Sequence, residues 1–354
     1  KGIIEREAFL SNEIAHDQIY YRIPSQNPGY NIGFNEHITF LPTVINKEKK
    51  HFEQRVNIFT TAKDIETENY TLLLSKFEAN NLYELTKKFI DNNLSSKQML
   101  KLRRLNMDTS WQLSWGQTNL LIDPWLLGTE IDGFAWFNEQ WHATEPKAIH
   151  TLGNYQAILI SQPFSDHCHE ETVHQLDEVP LLVNPKSKKR LLKEFEGRKM
   201  LSLPVFLEQD WLAFGDLEIA HLKSSKVLSA AFDAILIRKD EELLVYCPHG
   251  FEFTRAQIKA LSVYKTKALI AGFSSFKLPF FLGGTVNPGK SNVLELVKAF
   301  NPQKVFHTHD ENKEARGVVK KIAKVDYLNE QEMRKGLEDK FVFLGAGYEW
   351  YSVV

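Results

Sequence analysis

Long hydrophobic runs are missing from this sequence, and so is an excess of charge of either sign. No stretch approaches the ~18 consecutive apolar residues of a membrane helix, and the opening residues KGIIEREAFLSNE are too charged for the apolar core of a signal peptide. Lys plus Arg number 43 and Asp plus Glu 45, a formal charge of −2 that excludes a general nucleic-acid-binding surface. These absences predict a soluble, cytoplasmic protein with no membrane span and no nucleic-acid partner.

Cysteine is almost absent as well. The chain has 2 Cys among 354 residues, too few for a disulfide framework or for a four-cysteine zinc or iron–sulfur centre. Its 18 Gly, 13 Pro and 43% hydrophobic residues exclude collagen-like, low-complexity and wholly disordered chains. A metal site in this globular protein must therefore use carboxylates and some of the 12 histidines.

The hydrophobic pattern divides the chain into an N-terminal accessory α+β region, residues 1–104, and a larger domain, residues 105–354. In the first part, apolar residues recur at helical spacing from Thr71 to Asn93 and predict a helix. The polar stretch from Asp91 to Arg104 is interpreted as the connection. After it, short apolar strands alternate with helices, which predicts a layered α/β domain with its chemistry at the strand ends.

Carboxylate and imidazole groups gather at three predicted strand ends. After the strand YQAILIS, one loop holds four candidate side chains in a row: Asp166, His167, Cys168 and His169. His249 follows the strand LLVYC, and His309 follows the strand KVFHT. A single histidine is usually an ordinary hydrogen-bonded side chain. Oxygen and nitrogen donors at three strand ends together indicate a divalent-metal site.

Four segments resemble, in order and spacing, the metallo-β-lactamase fold superfamily. They are LLIDPWLLG (120–128), ILISQPFSDH (158–167), NVLELVKAFNP (292–302) and KVFHTHD (304–310). The chain looks most like the branch of ascorbate-6-phosphate lactonase-like proteins and the lactamase-like half of cytidine monophosphate N-acetylneuraminate hydroxylase. The resemblance extends from residue 105 to residue 354 and implies an αββα four-layer sandwich that acts on a small-molecule substrate.

The resemblance also shows which family ligands this sequence has lost. In the family a Ser or Thr precedes His-x-His-x-Asp-His, whereas this chain has SQPFSDH, with Gln162 and Phe164 at the first two histidine positions. Asn184 stands where a third ligand of the first metal is expected, and His249 stands near the position of a bridging aspartate. The first metal position is therefore predicted to be absent.

The second metal position keeps the residues that the family would use. The resemblance implies one divalent metal on Asp166, His167 and His309, with His249 or His169 as a fourth ligand. Zinc is the expected ion for carboxylate and imidazole ligands of this kind, with iron and manganese as alternatives.

The leading hypothesis is a metal-dependent hydrolase with a single-metal site. A metal at Asp166 and its partners would lower the pKa of bound water toward ~7, and the hydroxide would attack a lactone, an amide or a phosphoester. His249 or His169 would give a proton to the leaving group. Gln162 would hydrogen-bond the water or the substrate in place of the lost ligand.

Two other functions stay open. One is an iron-dependent oxidative enzyme related to the sialic acid hydroxylase; because the cysteines are too few for a Rieske cluster, a separate carrier would supply electrons. The other is a non-catalytic scaffold that binds a ligand or partner, with Phe164 filling the vacated metal pocket. The aromatic stretch from Phe134 to Trp141 is interpreted either as a flap over the site or as a subunit contact, which leaves a homo-oligomer open.

Three further side chains in these motifs are expected to be structural. Asp123, in LLIDPW, is interpreted as a carboxylate that orients neighbouring loops, because this is its role in the related fold. Cys168 and Cys247 are expected to be inert packing residues.

One motif competes with the metal interpretation. Residues Gly284 to Ser291, GTVNPGKS, match the phosphate-binding pattern G-x-x-x-x-G-K-S. Too few residues follow Ser291 for the remaining strands of a nucleotide-binding domain. We therefore expect a helix to start near Ser291, close to the site entrance.

Overall fold

The computed structural model describes six strands within residues 1–98 and then residues 99–353, apart from residues 132, 209, 224–232 and 281–283. The chain divides into two compact units, Lys1–Gln98 and Met99–Val354. The stretch interpreted as the connection contains a strand, Leu100–Arg104, that belongs to a sheet of the second unit.

The described strands of the first unit form one antiparallel sheet in the order β1-β2-β3-β5-β4, with β6 beside β5. The strands are β1 Glu5–Glu7, β2 Ile19–Arg22, β3 His37–Phe40, β4 Val44–Asn46, β5 His51–Phe59 and β6 Asn69–Ser75.

The helix predicted from Thr71 to Asn93 is wrong at its start. Residues 71–75 lie in β6, which pairs with β5 from Asn69 opposite Asn57 to Ser75 opposite His51. A short apolar run such as LLL fits a strand as well as a helix, and pairing with a neighbouring strand decides between them. The rest of the predicted helix lies outside the described residues.

The second unit contains two seven-stranded sheets. The first has the order β14-β13-β12-β9-β8-β7-β26, with β7 Leu100–Arg104, β8 Trp111–Trp115, β9 Thr118–Ile122, β12 Ala157–Ile160, β13 Leu181–Val183, β14 Met200–Ser202 and β26 Tyr351–Val353. The second has the order β15-β16-β17-β18-β19-β22-β25, with β15 Leu212–Phe214, β16 Leu217–Leu222, β17 Ala234–Lys239, β18 Glu242–Cys247, β19 Lys265–Gly272, β22 Lys304–Thr308 and β25 Phe341–Val342.

Smaller elements complete this unit. Two three-stranded sheets have the orders β10-β11-β23 and β21-β20-β24, with β10 Glu130–Ile131, β11 Glu139–Trp141, β20 Ser275–Lys277, β21 Thr285–Asn287, β23 Glu314–Arg316 and β24 Lys324–Asp326. The described α-helices are α1 Glu170–Gln175, α2 Pro185–Glu194, α3 Arg255–Leu261, α4 Lys290–Phe300, α5 Val318–Ile322 and α6 Glu330–Arg334, and short 3₁₀ turns span Ile149–Thr151 and Glu338–Lys340.

The two large sheets pack face to face and the helices cover their outer faces. Trp111 of β8 and Phe306 of β22 meet edge to face across the central core, with ring centroids 6.1 Å apart. Val173 of α1 and Leu191 of α2 pack in the core outside the first sheet. Val293 of α4 packs outside the second. The predicted αββα four-layer sandwich is confirmed.

Strand β12 shows why the sequence folds in this way. All of its residues are apolar and wholly buried. Ala157 and Leu159 belong to the core between the sheets, whereas Ile158 and Ile160 belong to the core beneath the helices. Because both faces of the strand are covered, its polar neighbours are confined to its end, where Ser161 begins the loop to the site.

Among the residues that the structure describes, no helix combines the length and the apolar character that crossing a bilayer requires.

Candidate metal centre

Three strand ends bring Asp166, His249 and His309 together. One ligand atom from each of these side chains lies within 4.8 Å of the other two. Asp166 comes from the loop after β12, His249 follows β18 and His309 follows β22. His249 is buried, whereas Asp166 and His309 remain partly exposed, so the group lies at the edge of the sandwich.

His167 completes this group. Its Nε2 lies 3.0 Å from Nε2 of His249 and 3.8 Å from Oδ2 of Asp166. Nε2 of His309 is also 3.8 Å from that carboxylate oxygen. Four of the side chains singled out from the sequence are thus neighbours around one point. We call them the four-residue cluster.

Asp123 fixes the orientation of His167. Its carboxylate is wholly buried and lies 2.7 Å from His167 Nδ1. It also accepts hydrogen bonds from the Ser161 amide, the Ser161 hydroxyl and the Tyr246 hydroxyl. Because a carboxylate only accepts, His167 donates from Nδ1 and directs Nε2 into the cluster. Asp123 was expected to orient neighbouring loops; its bonds to Ser161 hold the start of the loop after β12, and its contact with His167 also orients this imidazole.

Neighbouring charges shift the pKa values of His167 and His249 in opposite directions. Burial lowers the pKa of His167, but the carboxylates of Asp166 and Asp123 outweigh it and raise the value to about 9. Burial lowers the pKa of His249 well below its usual range, and the neighbouring imidazoles of His309 and His167 lower it further. At neutral pH these shifts favour the protonated form of His167 and the neutral form of His249.

A second buried carboxylate, Asp108, orients His309. Its Oδ1 lies 2.7 Å from His309 Nδ1, and its Oδ2 accepts a hydrogen bond of 2.8 Å from Lys313 Nζ. Burial opposes the charged form of Asp108, yet His309 and Lys313 hold the pKa of this carboxyl well below its usual range. Interaction with Asp108 in turn raises the pKa of Lys313, despite burial.

The loop that carries His249 is held by Asn292, in the first turn of helix α4, directly after the segment that matches a phosphate-binding loop. Asn292 accepts a hydrogen bond from the Phe251 amide at 2.9 Å and donates one to the Phe251 carbonyl at 3.0 Å. Gly250 has a φ of 74°, and a Cβ there would lie 2.5 Å from Asn292 Oδ1. The glycine therefore permits the tight turn that follows His249.

The phosphate-loop match itself is structural. Helix α4 begins at Lys290, whose amide donates to the Phe273 carbonyl at 2.9 Å. A Cβ on Gly289 would lie 3.0 Å from the same carbonyl and 3.1 Å from the Ser275 amide. The loop is packed against residues 273–275, where a cradle would have to leave its amides open to phosphate.

His169 is engaged elsewhere. It caps helix α1, with Nδ1 accepting from the Thr172 amide at 3.3 Å, and its Nε2 lies 3.0 Å from the Thr129 carbonyl. Burial lowers its pKa. With Nδ1 accepting in the helix cap and Nε2 donating to the Thr129 carbonyl, both nitrogens of neutral His169 are occupied. The structure does not bring this predicted ligand and proton donor into the four-residue cluster.

Gln162 begins the loop that carries Asp166 and is wholly buried. Neither its amide nitrogen nor its amide oxygen has a hydrogen-bond partner among the described residues. Buried amides without partners are rare in proteins, so this one requires an explanation.

Asn184 and Phe164 stand at two other positions where a family ligand is missing. Asn184 caps α2 and donates to Asp233 at 2.5 Å. The Phe164 carbonyl accepts hydrogen bonds from the amides of His167 and Cys168 in the same loop.

Both cysteines are free and buried, and burial raises the pKa of each thiol. A raised pKa keeps Cys168 and Cys247 as thiols, which are poor nucleophiles and ligands.

The aromatic stretch presents Phe134 and Trp136 to solvent, 65% and 67% exposed, with their rings stacked at 5.9 Å.

Asp108, Lys313 and Tyr246 were missed from the sequence. Asp108 lies in the turn between β7 and β8 and Tyr246 lies inside a strand, so neither has a motif around it. Lys313 stands only four residues after His309 in a charged segment, HTHDENKE, and this proximity is the one signal available.

Residues 106–309 match the family model described as the β-lactamase superfamily domain. None of the curated proteins matches this chain.

Solved structures with this fold include an isothiocyanate hydrolase from Delia radicum gut bacteria, with 15% identity and a TM-score of 0.53 over 72% of this chain and 99% of the other. A metallo hydrolase from the archaeon Ignicoccus hospitalis has 14% identity and a TM-score of 0.51 over 72% and 98%. A diiron β-hydroxylase from Streptomyces venezuelae has 14% identity and a TM-score of 0.46 over 72% and 60%. At these identities, the first two likenesses show the fold.

Proposed function

This chain belongs to the β-lactamase superfamily, and we propose that it is a hydrolase with a single divalent metal, zinc, held by Asp166, His167 and His309. The observation that carries the proposal is the convergence of these side chains with His249 around one point. The proposed substrate is a small molecule with a lactone, amide or phosphoester group.

The donor set fits zinc. One carboxylate and two imidazoles are common ligands of catalytic zinc, which keeps a further position for water. Nδ1 of both His167 and His309 lies 2.7 Å from a buried carboxylate, the outer contact that metal-binding histidines usually make. Zinc bound here would supply a water of lowered pKa as the nucleophile.

The remaining polar side chains of the site have separate roles in this proposal. His249 is positioned to take a proton from the attacking water and pass it to the leaving group, because its Nε2 faces the other imidazoles. The buried amide of Gln162 offers a donor and an acceptor to the water or the substrate. His169, the other predicted proton donor, has no role in this proposal because its Nδ1 caps α1 and its Nε2 contacts the Thr129 carbonyl.

Elemental analysis with single substitutions tests the ligand assignment. The wild-type protein, purified without added metal or chelator, should contain one zinc per chain, and Asp166→Ala or His309→Ala should contain none while remaining folded by circular dichroism. The matched controls are His150→Ala and Asp326→Ala, which change exposed residues outside the cluster and should keep the zinc. Two metals per chain, or zinc retained in both site variants, would contradict the assignment.

A second test separates the ligands from the proton carrier. We expect His249→Gln to retain one zinc and to lose at least about 100-fold in hydrolysis, the range typical of general acid–base groups. Hydrolysis is measured on a panel of lactones, amides and phosphoesters. A His249→Gln variant with wild-type turnover on a substrate of that panel would remove this residue from the mechanism.

An iron-dependent oxidative enzyme is the second candidate. One carboxylate and two histidines are also the ligand set of many non-haem Fe(II) oxygenases, and Asp166, His167 and His309 supply it. One iron per chain would favour oxidative chemistry over hydrolysis. No metal after reconstitution with zinc, iron or manganese would favour a scaffold that binds a ligand or partner without chemistry.

A further inference from the structure

Lys313 lies beside the metal centre and has no role in the mechanism proposed above. Its side chain is 8% exposed, and its ammonium is 2.8 Å from Asp108 Oδ2. We infer that Lys313 is a positioning residue, which holds the Asp108 carboxylate so that His309 presents Nε2 to the cluster. The inferred orientation of His309 does not depend on the identity of the metal, and its effect on metal binding rests on the proposed function.

The two oxygens of Asp108 are divided between two donors. Oδ1 faces His309 Nδ1 at 2.7 Å, and Oδ2 faces Lys313 Nζ at 2.8 Å. The Asp108 side chain is 1% exposed. A buried carboxylate is stable only when its charge is compensated. Lys313 is the cation hydrogen-bonded to it, and it occupies the oxygen that His309 does not use.

Contacts on its other side hold Lys313 in place. Its Nζ lies 5.2 Å from the centre of the Trp125 ring, a distance typical of a cation–π contact. Trp125 packs in turn against His142, with ring centroids 3.8 Å apart and the ring planes tilted by 35°. The ammonium is therefore enclosed between a carboxylate and an aromatic face.

The backbone of Asp108 is fixed independently of Lys313. Its carbonyl accepts hydrogen bonds from Arg104 Nη2, from the Thr308 hydroxyl and from the His309 amide, each at 2.9 Å. Loss of Lys313 should therefore free the Asp108 side chain while the turn stays in place. This separates positioning of the imidazole from formation of the fold.

The consequence for His309 follows from imidazole chemistry. A neutral imidazole carries its proton on one nitrogen, and a carboxylate facing Nδ1 selects the tautomer protonated there. Nε2 then keeps the lone pair that a metal needs. Without Lys313, Oδ2 of Asp108 would lose its donor and the side chain would turn towards solvent, so His309 would lose the acceptor that selects this tautomer.

Histidine tautomers in the metal-free protein test the inference directly. The protein is labelled with ¹⁵N-histidine, and the His309 signals in long-range ¹H–¹⁵N spectra are identified by their loss in His309→Gln. We expect the Nδ1-protonated pattern in the wild type and its loss in Lys313→Met. Zinc affinity, measured by competition with a chelator, should fall about 10- to 100-fold in Lys313→Met, as for other outer-shell partners.

Two variants control for charge and burial. Lys313→Arg keeps a cationic donor and should restore much of the Nδ1-protonated pattern. Lys267→Met removes another buried lysine, which pairs with Glu242 at 3.4 Å outside the cluster, and should retain both the pattern and the zinc affinity. If Lys313→Met does not fold, Lys313→Ala, which also removes the donor to Asp108, replaces it with the same expectations.

Folded Lys313→Met with the wild-type tautomer pattern would overturn the inference. So would equal losses of zinc affinity in Lys313→Met and Lys267→Met, because the effect would then be one of general stability. A wild-type protein that binds no zinc, iron or manganese would overturn the proposed function, and the tautomer measurement would still decide the role of Lys313.

Discussion

His167 and His309 are both oriented by a buried carboxylate, but the two carboxylates are stabilised differently. Asp123 accepts from neutral donors as well as from His167: the Ser161 amide, the Ser161 hydroxyl and the Tyr246 hydroxyl. Oδ1 of Asp108 contacts His309, and Oδ2 accepts a hydrogen bond from the ammonium of Lys313. One arrangement spreads the negative charge over several hydrogen bonds, and the other balances it with a single opposite charge.

The difference lies in where each pair stands in the fold. Asp123 directly follows strand β9, and Tyr246 hydrogen-bonds it from β18 of the opposite sheet, so the contact between Asp123 and Tyr246 joins the two sheets. Asp108 and Lys313 come from loops, where fewer backbone donors are fixed. We conclude that Asp123 contributes to the fold as well as to the site, whereas Asp108 serves chiefly to orient His309.

The largest expected effect is on the free energy of unfolding, and it tests whether Asp123 contributes more to the fold than Asp108 does. Asp123→Ala should lower the free energy of unfolding by about 4 kcal/mol, because it leaves buried donors of both sheets without an acceptor. Asp108→Ala should cost about 2 kcal/mol, because it removes the acceptor of one side chain outside the large sheets, Lys313, and of His309, and leaves the hydrogen bonds between the sheets intact. Urea unfolding of the metal-free proteins measures both values. An equal or larger cost for Asp108→Ala would contradict the comparison.

A smaller effect should appear in the pH dependence of stability. The pKa of His167, raised to about 9 by Asp166 and Asp123 against burial, lies above the ~6.5 of unfolded histidine. The folded state therefore binds the proton more tightly, and this stabilisation is complete below pH ~6.5 and is lost as the pH rises towards 9.

We expect the metal-free protein to lose about 2 kcal/mol of stability between pH 6.5 and 8 from this residue. His249, whose pKa is held well below its usual range, stays neutral in the folded protein over this interval. His167→Gln should flatten the slope, and His150→Gln, at an exposed position, should not. Unfolding in urea with chelator present, at several pH values, measures the slope. An unchanged slope in His167→Gln would show that other groups cause it.

The smallest expected effect compares the Tyr246 hydroxyl, which donates to Asp123, with the Lys313 ammonium, which donates to Asp108. Tyr246→Phe removes one hydrogen bond of 2.7 Å to Asp123 and should cost about 1 kcal/mol of stability. Zinc affinity should change less than in Lys313→Met, because Asp123 keeps its contacts with Ser161. A loss of zinc affinity in Tyr246→Phe equal to that in Lys313→Met would show that the two carboxylates are equally dependent on one partner.

Much of the site was predictable because its residues share one kind of position. Asp166, His167, His249 and His309 all follow apolar strands: β12 of the first sheet, and β18 and β22 of the second, which both run parallel to β19. Functional residues are common in loops at strand ends. His169 has the same position in the sequence, yet it caps helix α1. Adjacent residues in a loop point in different directions, and the sequence does not record which of them turns towards the site.

The orienting carboxylates differed in how far they could be predicted. Asp123 stands in a segment that resembles a known family, whereas Asp108 lies in a turn with no motif. Its role depends on Lys313 and His309, about 200 residues later in the chain. Contacts across such separations arise only when the sheets pack.

The amino-acid sequence by itself determined the fold class of the larger domain and the type of chemistry available to it. Short apolar runs such as AILI that alternate with helices are typical of strands covered on both faces, and two cysteines are too few for a four-cysteine centre, which leaves carboxylates and histidines as the main donors for a metal. Tertiary structure decided which donors meet. The strand pairing of residues 71–75, the capping role of His169 and the Asp108–Lys313 pair all depend on distances between segments remote in the chain, and local periodicity carries no information about such distances.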